Sequence, residues 1–179
     1  DRAQHAGNAR YKEACGGAVL RVVRKDGGGR EKPAGKARHI GFSVHCQPEL
    51  LDMVLSKYGH ILEFVQIQLN YFDLEHLNAK ALYETARKYN KPIIVMEPVR
   101  GGMLASPSSD EVRRILDDAS EKAGQSGASY ASYALRYASQ LDGVLCTLSG
   151  MSTTAQMKEN IQTFSGPVLT AEQLDAVHQ

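Results

Sequence analysis

Residues 143–160 read GVLCTLSGMSTTAQMKEN and predict one complete βα unit. The apolar run 143–148 favours a buried strand, and Gly150 follows it at a turn. Thr153 and Gln156 have the spacing of a capping box, which predicts that a helix begins there. Such a turn gathers backbone N–H groups at the positive end of a helix dipole and suits an anion such as phosphate. An ordinary βα turn with polar surface residues is the alternative interpretation.

The same alternation of strand and helix occurs four times from residue 37 onward. Strands are predicted at 38–43, 64–69, 92–96 and 143–148. Helices are predicted from Pro48, at 75–89, at 111–122 with Ser108 as cap, at about 128–140 and from Thr153. The apolar run 92–96, PIIVM, is typical of a strand buried on both faces. Because repeated βα units connect through right-handed crossovers, the sequence predicts an α/β fold with a parallel sheet.

Polar residues stand at the carboxyl end of every predicted strand. They are Ser43, Asn70, Glu97 and Ser149. Parallel α/β folds, barrels above all, build their sites at this end of the strands. We therefore expect the functional site at the carboxyl edge of the sheet.

Two loops at this edge have features that suit phosphate. In the loop EPVRGG (97–102), Gly101 and Gly102 let the backbone approach a ligand, and Arg100 can pair with a phosphate. On the helix that follows the fourth strand, Gln156 and Asn160 lie one turn apart, where two amides can hydrogen-bond a flat polar group. Phosphate-binding loops after the last two strands are a recurring arrangement in barrels.

Composition narrows the class of protein further. The 179 residues include 21 basic and 20 acidic ones, so the net charge of +1 gives no reason to expect nucleic acid or a membrane surface as partner. No apolar stretch approaches the roughly 18 to 20 residues that span a bilayer. The three cysteines are widely separated, which favours a reducing, cytoplasmic setting and predicts no metal site.

The chain divides unevenly into two parts. Residues 1–36 are rich in Gly, Arg, Lys and Ala and predict a poorly ordered or atypical segment. Within it, the apolar patch 18–23 favours the end of a helix that stops before Gly27. Residues 37–179 carry the regular alternation and form the main domain.

Four segments together resemble the second half of an aldo-keto reductase. They are RHIGFS (38–43), FVQIQLNY (64–71), MEPVRGG (96–102) and LSGMS (148–152) with Gln156 and Asn160. The likeness covers about residues 36–175 and is closest to the bacterial and archaeal branch that often carries a carboxy-terminal ferredoxin-like iron–sulfur segment. It implies a (β/α)8 TIM-barrel type of fold, of which about the last four βα units are present.

The resemblance implies a role for particular residues. Ser43 and Gln66 match residues that hold the nicotinamide carboxamide, and Met96 sits where relatives often place an aromatic side chain against the ring. The loop from Pro98 to Leu104 matches the one that lies over the pyrophosphate, whereas residues 150–160 match the contacts of the adenosine end. The implied cofactor-binding residues are Ser43, Gln66, Met96, Pro98, Val99, Arg100, Gly101, Gly102, Leu104, Gly150, Ser152, Thr153, Gln156 and Asn160.

The cofactor implied by the resemblance is NADPH or NADH. Thr153 occupies a position that is often Arg or Lys in NADPH users, so the choice between the two stays open. A 4Fe-4S cluster is implied only for a full-length member of that branch. The implied substrate is a small carbonyl or alcohol.

One part of the family pattern is missing. The family uses a Tyr general acid supported by Lys, Asp and His from the first four strands, and the chain matches only the last four. No catalytic residue is therefore assigned, and we expect a fragment that is inactive alone and associates through its barrel edges. Two alternatives stay open: a non-catalytic dinucleotide-binding or regulatory module, and a phosphate-binding barrel fragment of an isomerase type.

Overall fold

The computed structural model describes residues 39–178. The predicted segment 1–36, with its apolar patch at 18–23, lies outside the described residues. The strands are β1 (Gly41–Val44), β2 (Phe64–Gln68), β3 (Ile93–Met96) and β4 (Val144–Thr147). The helices are α1 (Pro48–Tyr58), α2 (Tyr71–His76), α3 (Ala79–Lys88), α4 (Asp110–Lys122), α5 (Tyr130–Gln140), α6 (Thr154–Ser165) and α7 (Ala171–Val177), with a 3-10 segment at Arg100–Ala105.

The strands form one parallel sheet in the order β1-β2-β3-β4. This result confirms the predicted α/β fold with a parallel sheet. Ser43 lies opposite Gln66 in the register of β1 and β2, and Gln68 lies opposite Met96 in the register of β2 and β3. All four strands therefore end at the same edge of the sheet.

The two faces of the sheet differ in burial. One face packs against the helices, where Val65, Ile67, Ile93 and Val95 are fully buried in the main core. The opposite face carries the alternate side chains, and these are half-buried; they are Ser43, Phe64, Gln66, Gln68, Ile94 and Met96. The prediction that β3 is buried on both faces is therefore wrong, because helices cover only one face within residues 39–178.

The helix predicted at 75–89 is wrong in its bounds, because two helices occupy the region. The side chain of Asn70 accepts a hydrogen bond from the Asp73 N–H, and α2 begins at Tyr71, four residues earlier than predicted. Leu77 ends this helix in an extended conformation with its side chain 54% exposed, and α3 begins at Ala79. An N-cap that acts locally thus outweighed the longer apolar periodicity.

Two further helix starts differ from prediction by one or two residues. Ser109, rather than Ser108, caps α4 by accepting a hydrogen bond from the Val112 N–H. Ser129 caps α5, which begins at Tyr130 instead of near residue 128. At α4 two adjacent serines could each serve as the cap, so the sequence alone did not separate them.

Candidate functional site

Three predicted site residues come together on the half-buried face of the sheet. The Ser43 hydroxyl donates to Met96 Sδ at 3.7 Å, and Gln66 Nε2 donates to the same sulfur at 3.4 Å. On the neighbouring part of this face, Gly41 leaves room for the Phe64 ring, because a Cβ there would lie 2.4 Å from it. A thioether is a weak acceptor, so the hydroxyl and the amide can exchange it for a stronger one on a ligand.

The loop after β3 has an unusual backbone. Glu97, Arg100, Gly101 and Gly102 have φ values of 55°, 49°, 61° and 95°, all in the left-handed region. The Glu97 carboxylate closes the loop by accepting a hydrogen bond from the Gly101 N–H at 2.7 Å. No atom lies within 4 Å of the position that a Cβ would take at Gly101 or Gly102. The positive φ values favour glycine at both positions, and the missing Cβ atoms leave the loop surface open to a ligand.

Arg100 lies in a different environment from the one that its phosphate role suggested. Its Nε donates to Asp73 Oδ1 at 2.9 Å, and its guanidinium lies 4.5 Å from the centre of the Phe72 ring. The Asp73 side chain is 0% exposed, whereas that of Arg100 is 32% exposed. The guanidinium is thus held against α2 by a buried carboxylate and an aromatic face.

The start of α6 has the predicted capping box. Thr153 Oγ1 accepts a hydrogen bond from the Gln156 N–H at 3.2 Å, and Gln156 Oε1 accepts from the Ser152 and Thr153 N–H groups at 2.9 and 3.1 Å. Two N–H groups that were expected to face an anion are therefore bonded to Gln156. The N–H groups of Thr154 and Ala155 lie in the first turn of α6, where a helix has no carbonyl one turn earlier to accept them.

Asn160 and the end of β4 border an open groove beside α6. Asn160 Nδ2 donates to the Ser149 hydroxyl at 2.9 Å. Thr147 Oγ1 is buried and has no hydrogen-bond partner among the described residues. The groove is lined by Thr147, Ser149, Met151, Met157, Asn160, Ile161, Phe164 and Ser165. An orphaned hydroxyl and the Asn160 amide beside apolar side chains suit a flat heteroaromatic group with polar edges.

Sequence reasoning missed the polar cluster around Asp73. Gln68 Nε2 and Asn70 Nδ2 both donate to Asp73 Oδ2 at 2.7 Å, and Asn70 Nδ2 also donates to the Glu97 carbonyl at 2.9 Å. Asn70 was singled out as a strand-end residue, but without a partner. The spacing of Asn70 and Asp73, an N-cap residue followed by an acid three positions later, was the signal that could have paired them.

The parallel sheet, its one-sided layer of helices and the polar groups at its carboxyl edge are the arrangement of a (β/α)-barrel type of protein, present here in part. The model of the aldo/keto reductase family matches residues 31–179. The chain therefore belongs to the aldo/keto reductase family, as the sequence motifs predicted. Members of this family generally use NADH or NADPH and bind carbonyl substrates.

Solved structures support the same fold. The holo form of aldo-keto reductase AKR11C1 from Bacillus halodurans superposes with a TM-score of 0.65 at 19% identity, covering 83% of this chain and 52% of that one. Its apo form gives 0.62 at 19% identity, with coverage of 83% and 53%. A protein provisionally described as 2,5-diketo-D-gluconic acid reductase B gives 0.64 at 24% identity, with coverage of 83% and 47%. The chain thus spans about half the length of these relatives.

No curated protein sequence matches the chain. Within residues 39–178, none of the helices combines the length and the apolar character needed to cross a bilayer.

Proposed function

We propose that the chain is the cofactor-binding half of a nicotinamide-dependent aldo-keto reductase and comprises the last four βα units of its barrel. The intact enzyme transfers a hydride between the cofactor and a small carbonyl or alcohol. The match to about half the length of the relatives supports this proposal. So does the sheet, since the face opposite the helices is only half-buried, as a barrel lining is when its facing strands are absent.

The observation that carries the proposal is the convergence of Ser43, Gln66 and Met96. A carboxamide needs one group that donates to its oxygen and one that accepts from its nitrogen. The Ser43 hydroxyl and the Gln66 amide can supply both, and the polarisable Met96 sulfur offers a soft surface to the ring. In this proposal the loop from Pro98 to Leu104 covers the pyrophosphate, and residues 150–160 hold the adenosine end.

The other half of the barrel supplies the proton donor and its supporting residues in this proposal. Hydride transfer to a carbonyl leaves charge on the oxygen, which a general acid must neutralise. We assign no residue of this chain to that role, and we expect the chain alone to be inactive.

Apolar side chains along β4 and α6 mark the proposed contact with the missing half. Leu145 is 67% exposed on the strand, and Ile161 and Phe164 are 60% and 49% exposed on the helix. Within residues 39–178, β1 and β4 each have a strand neighbour on one side only, so both can template further strands. We expect the chain to associate with itself or with a complementary half through these surfaces.

Several finer features belong to the same proposal. The cofactor is NADPH or NADH, with Thr153 at the position that discriminates them. A cytoplasmic location is proposed from the sparse cysteines. A 4Fe-4S segment is proposed only for a full-length protein of the resembling branch, and the described residues give it no support.

Fluorescence titration of the purified chain with NADPH and NADH tests the proposal. Ser43→Ala removes one neutral hydrogen bond and is expected to weaken binding about 2- to 12-fold. Ser56→Ala is the matched control, because the Ser56 hydroxyl bonds to the Met53 carbonyl on α1, away from the site. Binding that is absent, or equally tight in both variants, contradicts the proposal.

The alternative function, a non-catalytic dinucleotide-binding module, predicts the same binding of NADPH and NADH. The two functions are distinguished by completing the barrel with the first four βα units of an aldo-keto reductase. Carbonyl-dependent oxidation of NADPH by the completed protein supports the enzyme, whereas binding without turnover supports the module. Membership of the aldo/keto reductase family favours both over an isomerase-type fragment.

A further inference from the structure

We infer that Asp73 is the positioning residue of the loop at residues 97–104, and that Arg100 anchors this loop to Asp73 instead of serving as a phosphate ligand. The inference rests on the proposed function, in which this loop covers the pyrophosphate. It reassigns a residue that the motif alone placed on the cofactor.

The surroundings of Asp73 tie three segments of the chain together. Its carboxylate is fully buried and accepts hydrogen bonds from Gln68 at the end of β2, from Asn70 before α2, and from Arg100 in the loop. A buried carboxylate is tolerated only when its charge is paired and its oxygens are hydrogen-bonded. Arg100 is the one cation among these partners, so its ion pair with the buried carboxylate fixes its position.

The loop needs such an anchor because its backbone is strained. Glu97 and Arg100 are not glycines, yet both adopt left-handed φ values of 55° and 49°. Residues other than glycine hold this conformation only where the surroundings impose it. Asn70 holds the Glu97 carbonyl at 2.9 Å, and Asp73 holds the Arg100 side chain at 2.9 Å. Both strained positions are therefore secured by the same buried pair.

The contacts of Arg100 leave it poorly suited to bind a phosphate. Its Nε is committed to Asp73, its Nη1 lies 3.1 Å from Met103 Sδ, and its plane covers Phe72. The adjacent carboxylate neutralises much of its field toward the cofactor. The Gly101 N–H, by contrast, donates to the Glu97 carboxylate at 2.7 Å on the exposed surface of the loop, so this backbone group already holds an anionic oxygen there.

Hydrogen–deuterium exchange of the cofactor-free chain tests the anchor directly. Asp73→Asn and Arg100→Gln are expected to speed exchange of the amides in residues 97–104 by about 10- to 100-fold, the effect of losing one charge-assisted hydrogen bond. Asp52→Asn is the control, because Asp52 pairs with Lys88 on exposed helix surface. If Asp73→Asn fails to fold by circular dichroism, Arg100→Gln decides, since its side chain is partly exposed.

A binding comparison separates positioning from a general structural role. NADPH spans the loop, whereas adenosine 2′-phosphate reaches only the site at residues 150–160. Asp73→Asn should therefore weaken NADPH about tenfold or more and leave adenosine 2′-phosphate unchanged, while a global defect weakens both.

The outcomes distinguish this inference from the proposed function. Loss of NADPH affinity in Arg100→Gln with unchanged loop exchange identifies Arg100 as a phosphate ligand and overturns the inference. Loop exchange that rises in both variants supports it. If the wild-type chain binds no dinucleotide, the proposed function fails, and the exchange measurement still decides whether Asp73 fixes the loop.

Discussion

Replacing Asn70 with Ala should be among the most destabilising changes in the described part of the chain. The Asn70 side chain is 0% exposed and makes three hydrogen bonds. It accepts from the Asp73 N–H at 2.8 Å, donates to the Asp73 carboxylate at 2.7 Å, and donates to the Glu97 carbonyl at 2.9 Å. The substitution thus removes a helix cap, a charge-assisted bond and a neutral bond at once.

The expected cost follows from these three contacts. Loss of an N-cap costs about 1 kcal/mol, and a hydrogen bond to a charged group contributes about 1.5 to 3 kcal/mol. The bond to Glu97 adds about 0.5 to 1.5 kcal/mol, and contacts within one network are not fully additive. We therefore expect Asn70→Ala to lower the free energy of unfolding by about 3 to 5 kcal/mol.

Asn78→Ala is the matched control. Asn78 occupies the N-cap of α3, but its side chain makes no cap hydrogen bond and its amide donates to Gln47 on the exposed surface. Its loss should cost about 0.5 kcal/mol or less.

Urea unfolding followed by circular dichroism at one protein concentration measures the difference between the two variants. If Asn70→Ala is unfolded without urea, Asn70→Ser, whose hydroxyl can still cap α2, gives the measurable intermediate cost. Equal costs for the Asn70 and Asn78 variants would refute this account of the polar cluster.

Three further predictions concern the cofactor, alkaline stability and association. Thr153→Arg should shift binding preference toward NADPH by adding a cation for the 2′-phosphate. Gln162→Arg, which adds the same charge farther along α6 at an exposed position that does not line the groove, should not, and titration with both cofactors measures the difference. Burial raises the pKa of Tyr71 and of Tyr137 to about 12. The phenols of the unfolded chain release their protons near pH 10, so the contribution of both tyrosines to the free energy of unfolding is complete below pH 10 and should fall between pH 10 and 12. The fall should be less steep in Tyr71→Phe, and urea midpoints measured across this pH range test it. Ile161→Glu places a charge on the exposed apolar face of α6 and should lower the mass of the particle in light scattering; an unchanged mass argues against this face as the contact.

The parts of the fold that depend on local order were predictable from sequence. The parallel sheet was predicted from four alternations of strand and helix, because the sequence pattern of each βα unit is contained within about 30 residues. The capping box of Thr153 and Gln156 involves residues three positions apart and was predicted correctly. These features require no knowledge of which distant segments meet.

The features that sequence did not predict depend on tertiary contacts. Arg100 pairs with Asp73 across 27 residues, and a motif that places Arg beside two glycines cannot reveal that partner. The burial of β3 was overestimated for a similar reason, because the apolar character of Ile94 does not say whether facing strands are present. The break at Leu77 was also missed: this residue adopts an extended backbone conformation and separates α2 from α3, although its apolar side chain fits the helical periodicity.

The central claim is that this chain is half of an aldo-keto reductase barrel that binds the cofactor but lacks the proton donor. It is tested most directly by measuring NADPH and NADH oxidation over a panel of carbonyl substrates, with the mass of the purified chain determined in the same solution. We predict no carbonyl-dependent oxidation and a particle that is larger than the 19.6 kDa chain. Turnover by a monodisperse 19.6 kDa monomer would contradict the account, because it requires a proton donor within these residues.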